Sequence, residues 1–401
     1  MIKAKLPFAV FGALLGAAGL PLYIHAPKYF VDTYDVSLTA LGAVLFGLRL
    51  LDVVQDPLLG RLVSRAKDYI RALVIIGATL MVSGMIGLFA ISAPMSPILW
   101  FALTLAAVFT GFSLLTIILY SQCAILFSKP EQIIVARWRE TGQLLGICLA
   151  AIAPTLLATY VATPFSGFAL GFLGLAIVAV VATYSHWTTH AIEVAQSSFA
   201  TLAFALKPYL LLGFLNAAPV AITSTLFLFF VEYRLGSADL AGPLLVIFFL
   251  SAAVSSPLWS YLAQRFGIVP VLLAAMIATL ISFVFAFGLG TGSIVPFIVI
   301  CIVTGATTGA DMTLMPVFFT NHLKSQNHPA DISFGLWSFA SKLALAFAAI
   351  LVLPALELTG FDPNALTENG LLSLSIAYAI VPSVLKVLAI YMMYRIGKYH
   401  A

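Results

Sequence analysis

Pro57-Leu58-Leu59-Gly60-Arg61-Leu62-Val63-Ser64-Arg65 returns 200 residues later as Pro257-Leu258-Trp259-Ser260-Tyr261-Leu262-Ala263-Gln264-Arg265. Both copies begin with a proline inside an apolar run and end on an arginine at the following loop. That shared register marks a chain built from two related halves, with the halves repeated in parallel.

The surroundings of the repeat identify its solvent. The chain has 401 residues, of which 62% are hydrophobic and 8% charged, against about 25% charged in a soluble domain. Too few polar groups remain to coat such a chain in water, so it is built for lipid. A spanning helix takes about 20 apolar residues, and backbone exposed to hydrocarbon must bond within its own segment or close into a barrel. The long unbroken apolar runs exclude a barrel, whose strands alternate in polarity over about 10 residues. Twelve helices are expected, over 7–26, 37–63, 70–93, 97–127, 133–162, 165–186, 208–232, 241–263, 268–289, 294–319, 332–355 and 371–396. The first is read as a retained helix and not a signal peptide, because no clean small-residue cleavage site follows it. The longest polar interval runs from His186 to Ala205. The expected organisation is therefore a first six-helix bundle over 1–187, a cytoplasmic linker over 188–206 and a second six-helix bundle over 207–401.

Loop charge sets the expected direction. With the N-terminus inside, one face collects Lys3, Lys5, Arg61, Arg65, Lys67, Arg71, Lys129, Arg137, Arg139, Lys207, Arg265, Lys324, Arg395 and Lys398, and the other only Lys28 and Arg234. Both termini are then expected in the cytoplasm, with the protein a multi-pass monomer of the cell inner (plasma) membrane in contact with lipid. The net charge of +4 is loop charge of this kind and does not point to nucleic acid. Cys123, Cys148 and Cys301 fall in apolar runs without metal or redox spacing. The six histidines lie in loops and ends; His186 and His190 stand four apart in the polar interval, and a solvated segment explains them. No nucleophile motif occurs, so an enzyme is not expected.

Charged groups inside spans are the informative exceptions, since each costs at least a few kcal/mol and needs a partner or a cavity. Arg49, Asp52 and Asp56 are spaced three and four apart in the second span, which puts them on one helix face. Arg49 can serve as charge partner to Asp52. Two close carboxylates ionise together only if a cation or proton joins them, and Gln55 adds an amide oxygen of the kind hard cations accept. These residues are candidates for a Na⁺ or H⁺ site, with a structural ion-pair cluster at the helix end as the alternative. Lys342, about ten residues into the eleventh span, is the expected countercharge from the second half. Asp311 follows the small-residue run Thr304–Ala310, so it either lines a cavity or sits on a helix-packing face. Lys386, in the last span, is expected to snorkel or pack, and Arg137 to anchor at the interface.

These stretches resemble a known family. Arg49-Leu50-Leu51-Asp52-Val53-Val54-Gln55-Asp56-Pro57 is similar to the second-helix motif of the glycoside–pentoside–hexuronide cation symporters, the melibiose-permease-like branch of the major facilitator superfamily. Phe334-Gly335-Leu336-Trp337-Ser338-Phe339-Ala340-Ser341-Lys342 resembles the family's eleventh-helix segment, and Gly309–Pro316 and Asn216–Glu232 resemble its tenth and seventh helices. Arg139, followed by Gly142 and Gly146, resembles its fifth-helix stretch. The resemblance implies twelve transmembrane helices in two pseudo-symmetric bundles and cation-coupled symport by alternating access. It implies a cation at Asp52 and Asp56, with Gln55, Ser113 and Thr116 alongside. A small-molecule substrate would lie near Arg139, Thr116, Tyr120, Asp311, Trp337 and Lys342. No cofactor beyond the coupling ion is implied.

The departures bear on the substrate. Family members of the melibiose type carry an aspartate in the first helix and another in the fourth. Here Leu14 or Gly16 stands at the first place and Thr116 at the second, and Asn321-His322 replaces the usual Ala-Asp pair after the tenth helix. Leaving sugar hydroxyls unpaired is costly, so the expected substrate is a sugar-like or an amphiphilic small molecule, with a lysolipid transporter or a non-transporting assembly factor or sensor as alternatives.

Overall fold

The computed structural model describes residues 5–187, 199–361 and 366–398. Most of the expected linker, with His190, lies outside these residues, as do Lys3 and His400. Among the described residues there are helices and turns and no strand. In chain order the helices are α1 (Leu6–Ala17), α2 (Leu20–Tyr34), α3 (Leu38–Arg65), α4 (Ile70–Phe89), α5 (Pro97–Leu126), α6 (Lys129–Leu157), α7 (Pro164–Thr183), α8 (Phe199–Phe229), α9 (Ala241–Phe266), α10 (Ile268–Phe287), α11 (Ile294–Ser325), α12 (Ala330–Leu358), α13 (Glu368–Ser375) and α14 (Val381–Lys398). A π turn, Ile376–Ile380, joins α13 to α14 as one span.

Ten helical segments among the described residues are long and apolar enough to cross a membrane. Two more spans complete the twelve. One is α3, 28 residues long, whose apolar average is lowered by Arg49, Asp52, Asp56 and Arg61. The other is the first span, which differs from the single helix expected over 7–26. It breaks after Ala17 and resumes at Leu20, because Gly19 takes a non-helical backbone (φ −85°, ψ −120°) and Pro21 opens the next helix. A proline in the first turn lacks only an N–H that has no helical partner there.

Local chemistry explains several other boundaries. The Ser37 hydroxyl accepts from the Ala40 N–H at the start of α3, and Ser128 and Glu131 form a reciprocal capping box at the start of α6. The repeat that opened the sequence occupies matching places: Pro57 and Pro257 lie inside α3 and α9, and Arg65 and Arg265 fall in their last turns.

The helices form two units, Met1–Leu202 with Thr320–Phe339, and Ala203–Phe319 with Ala340–Ala401. The first therefore includes the end of α11 and the start of α12, which the sequence division had placed in the second bundle. Side chains and backbone of that segment explain the grouping. Lys324 Nζ donates to the Phe127 carbonyl oxygen at 2.6 Å, the Phe334 ring lies 5.5 Å from that of Tyr120, and Gly335 approaches Gly60 so closely that a Cβ on either would meet the other's Cα at 3.2 Å.

Within the first unit, α1 and α6 cross backbone to backbone. A Cβ on Gly12 would stand 2.2 Å from the Arg139 carbonyl oxygen, and one on Gly142 would stand 2.0 Å from that of Ala9. In the second unit the small-residue run of α11 packs on α9, where Trp259 Nε1 donates to the Ala306 carbonyl oxygen at 2.7 Å and Ser255 donates to the same oxygen at 2.9 Å.

Candidate functional site

The second-span carboxylates sit on α3 with α5 alongside. Asp52 is half-buried, and its Oδ1 accepts from Gln55 Nε2 at 2.8 Å and from Ser113 Oγ at 2.9 Å. Gln55 Oε1 in turn accepts from Thr110 Oγ1 at 3.0 Å. Three α5 positions matter here: Ser113 and Thr110 join the cluster, while the Thr116 hydroxyl is buried with no hydrogen-bond partner among the described residues. Thr110 lies a turn from Ser113 on the same helix, and its amide contact carried no sequence signal. Arg49 stands one turn before Asp52 and is half-buried.

Asp56 is fully buried one turn beyond Asp52. Its Oδ2 accepts from the Ser338 hydroxyl of α12, so the eleventh-span motif reaches the second-span motif inside the first unit. Trp337, beside Ser338, is half-buried. The arrangement gathers two carboxylates, an amide oxygen and three hydroxyls along less than three turns of helix, a donor set of hard oxygens.

A second polar group in this unit joins α5 to α6. Arg139, counted among the loop cations in the sequence, is only 3% exposed, and its neighbour Glu140 is fully buried. The physical reason is a partner the sequence reading missed: Arg139 Nε donates to Glu140 Oε1 at 2.7 Å, and the Tyr120 hydroxyl donates to the same oxygen at 2.8 Å. The guanidinium also lies 3.7 Å from the centre of the Tyr120 ring, a cation–π contact. A carboxylate adjoining an arginine inside an apolar helix was the available signal for Glu140.

The second unit has its own buried ion pair. Lys386, expected to snorkel or pack, is fully buried in α14. Its Nζ donates to Asp311 Oδ2 of α11 at 2.9 Å and to Asn216 Oδ1 of α8 at 2.7 Å. The sequence reading named no partner for it, because a lysine stem long enough to reach an interface is equally long enough to reach a neighbouring helix. Lys342 is half-buried in α12 of this unit, twelve residues beyond the first residue of a 29-residue helix. Among the described residues no group of three or more His, Cys, Asp or Glu side chains could hold a metal ion. His328, in the turn between α11 and α12, has its imidazole held below the usual 6.5 by burial.

A twelve-span helical fold with buried charge in both units defines a multi-pass membrane transporter. The chain belongs to the MFS/sugar transport protein family, whose model it matches over residues 7–397. It is a secondary transporter of the major facilitator type. Among solved structures it is similar to a bacterial homologue of the iron transporter ferroportin in its outward-facing state, with 15% identity, TM-score 0.68, and coverage of 97% of this chain and 99% of that one. The same homologue with soaked iron gives 14% identity, TM-score 0.71 and the same coverage. At such identities the likeness concerns the fold. Searched against curated proteins, the chain matches none.

Proposed function

We propose that this protein is a cation-coupled symporter, working by alternating access, that carries a small sugar-like or amphiphilic molecule with Na⁺ or H⁺. One observation carries the reading: two carboxylates one turn apart in a spanning helix, Asp52 and Asp56, are gathered with the Gln55 amide and the Ser113 and Ser338 hydroxyls. Ionised carboxylates in a span are costly, and a bound cation or proton relieves that cost. Ion occupancy and local charge are thereby linked, and the linkage is reciprocal: an ion that favours substrate binding is itself favoured by substrate.

In this reading Asp52 and Asp56 are the principal ion ligands, with Gln55 and Ser113 supporting them and Arg49 tuning their charge. Substrate contacts fall to Arg139, Tyr120 and Thr116 in the first unit, and to Asp311 and Lys342 in the second. The coupling ion is the one inorganic partner, the protein acts as a monomer in the cell's inner membrane, and both termini face the cytoplasm.

Proteoliposomes holding wild type, Asp52→Asn or Asp56→Asn test the coupling. Uptake should respond to an imposed Na⁺ or proton gradient in wild type and lose that response in both variants. Variants that keep the full cation dependence would exclude this site.

A further inference from the structure

We infer that His322 and His328 form a pH-sensitive latch at the α11–α12 turn: as neutral rings they close the end of α11 and keep the turn docked on the first unit, and as imidazolium they release it. The latch goes beyond the symport reading and does not depend on which ion or substrate is carried.

The reason lies in how α11 ends. Asn327 takes a left-handed backbone (φ 54°), a conformation that asparagine tolerates better than most residues. The His328 N–H then donates to the Leu323 carbonyl oxygen at 2.9 Å, and the Asn327 N–H to that of Lys324 at 3.4 Å. These two bonds make a Schellman ending, in which the residue after the left-handed one returns to pack on the last turns of its own helix. The side chains that meet there are ordinarily apolar. Here both are histidines: the His328 ring stands 6.0 Å from that of His322, centre to centre, at an interplanar angle of 63°. A contact that is ordinarily fixed has thereby become titratable. The Asn321-His322 pair, which stands where the resembled family has Ala-Asp, gains a structural role from it.

The surroundings favour release on protonation. Both rings are half-buried, and Lys324, Ser325, Gln326 and Asn327 between them are exposed, so water reaches the pair. The charged groups of the turn and its flanks are Lys324, whose ammonium donates to the Phe127 carbonyl oxygen of α5, and Asp331, which lies within electrostatic reach of Lys67 from the turn between α3 and α4. Burial lowers the His328 pKa below the usual 6.5, so a proton there binds the undocked turn more tightly than the docked one. Docking is therefore complete above pH of about 6.5 and declines below it. The docked turn is also short of hydrogen bonds: Asn321 Oδ1 and Asp331 Oδ1 are buried acceptors with no partner among the described residues. Buried polar groups are nearly always paired, so a contact that leaves two unmet is easily undone. On the proposed topology the turn faces the cytoplasm, and the latch answers to cytoplasmic pH.

Hydrogen exchange on the purified protein, without substrate or Na⁺, tests the latch. Protection factors, which remove the intrinsic pH dependence of exchange, are compared at about pH 7.5 and about pH 5.5. Protection of the Gln326, Asn327 and His328 amides should fall severalfold at the lower pH, up to about tenfold for each histidine that titrates, while α4 and α5 keep theirs. His322→Phe combined with His328→Phe restores an apolar contact and should hold full protection at both pH values. His328→Lys fixes a charge there and should give low protection at both. The response should persist in Asp52→Asn, which separates it from the ion site. Equal protection of wild type at the two pH values overturns the inference, as does a response that survives in the double phenylalanine variant or vanishes in Asp52→Asn. Should the double variant fail to fold, His328→Phe alone decides: an undiminished response overturns the inference and a reduced one upholds it. A protein that shows this response without cation-coupled uptake would lose the symport reading and keep the latch; a coupled symporter without the response would do the reverse.

Discussion

Lys386 shows how much one side chain determines in hydrocarbon. Its ammonium is fully buried and held by Asp311 and Asn216, three helices meeting at one nitrogen. Removing one partner of a buried pair leaves an uncompensated charge and costs about 3–5 kcal/mol, whereas replacing both by apolar groups of similar size is often neutral. Lys386→Met should therefore lower the thermal midpoint of the purified protein sharply, and Asp311→Leu likewise. The double variant should recover most of the loss. A double variant whose loss equals the sum of the two singles would show that the residues do not act as a pair. The same single-residue logic separates Glu140 from Glu131. Both are α6 glutamates, but Glu131 closes a capping box at the helix start, whereas Glu140 lies nine residues further along, where only a partnered carboxylate is tolerable.

At the scale of elements, glycine decides which helices can touch. α1 and α6 approach until the Gly12 Cα faces the Arg139 carbonyl, and a Cβ there would sit 2.2 Å from that oxygen. Close backbone approach by small residues is how helices associate where lipid offers no hydrophobic drive. Gly12→Ala should therefore push α6 away and disturb Arg139 and Glu140 along with it, with an overpacking cost of about 1–3 kcal/mol. The checks are a fall in thermal midpoint and weakened substrate binding in the same variant. Gly171, where a Cβ would meet nothing within 4 Å, should accept alanine without either change. The turn between α11 and α12 gives a pH prediction. Burial lowers the His328 pKa below the usual 6.5 in the fold, so the unfolded chain takes up a proton first as pH falls. Stability from this group is whole above pH of about 6.5 and declines as pH drops below that value. His328→Gln should flatten that part of the stability profile; an unaltered profile would mean the imidazole contributes nothing.

Across the whole molecule, the periodic features were legible in the sequence and the partnerships were not. Apolar runs and their breakers give the spans because hydrocarbon imposes one rule on every residue of a segment. The Pro57 and Pro257 segments therefore land in matching helix ends. Asp52, Gln55 and Ser113 were read together, and the structure joins them. The Lys386 pair escaped because it depends on residues from two other helices, a distance that sequence spacing does not encode, whereas Glu140 stood beside Arg139 and was overlooked. The break after Ala17 was missed for a different reason: an apolar run stays apolar across a change in backbone direction.

The grouping of Thr320–Phe339 with the first unit carries the last prediction. Gly335 permits it, since a Cβ there would lie 2.8 Å from the Asp56 carbonyl oxygen and 3.2 Å from the Gly60 Cα. Three residues on, Ser338 donates to the Asp56 carboxylate itself. Backbone fit and the hydrogen bond to the Asp56 carboxylate are thus tied to one helix face, so loosening the fit must also alter the carboxylate. Gly335→Ala should cost about 1–3 kcal/mol of that packing. Hydrogen exchange across 332–339 should then speed up by roughly tenfold for each 1.4 kcal/mol lost, while α4 and α5 keep their protection. Because the Ser338 hydroxyl moves with the helix, Na⁺ or proton affinity at Asp56 should change in the same variant. Exchange that accelerates with no change in cation affinity would separate the two effects and leave Ser338 a packing residue only.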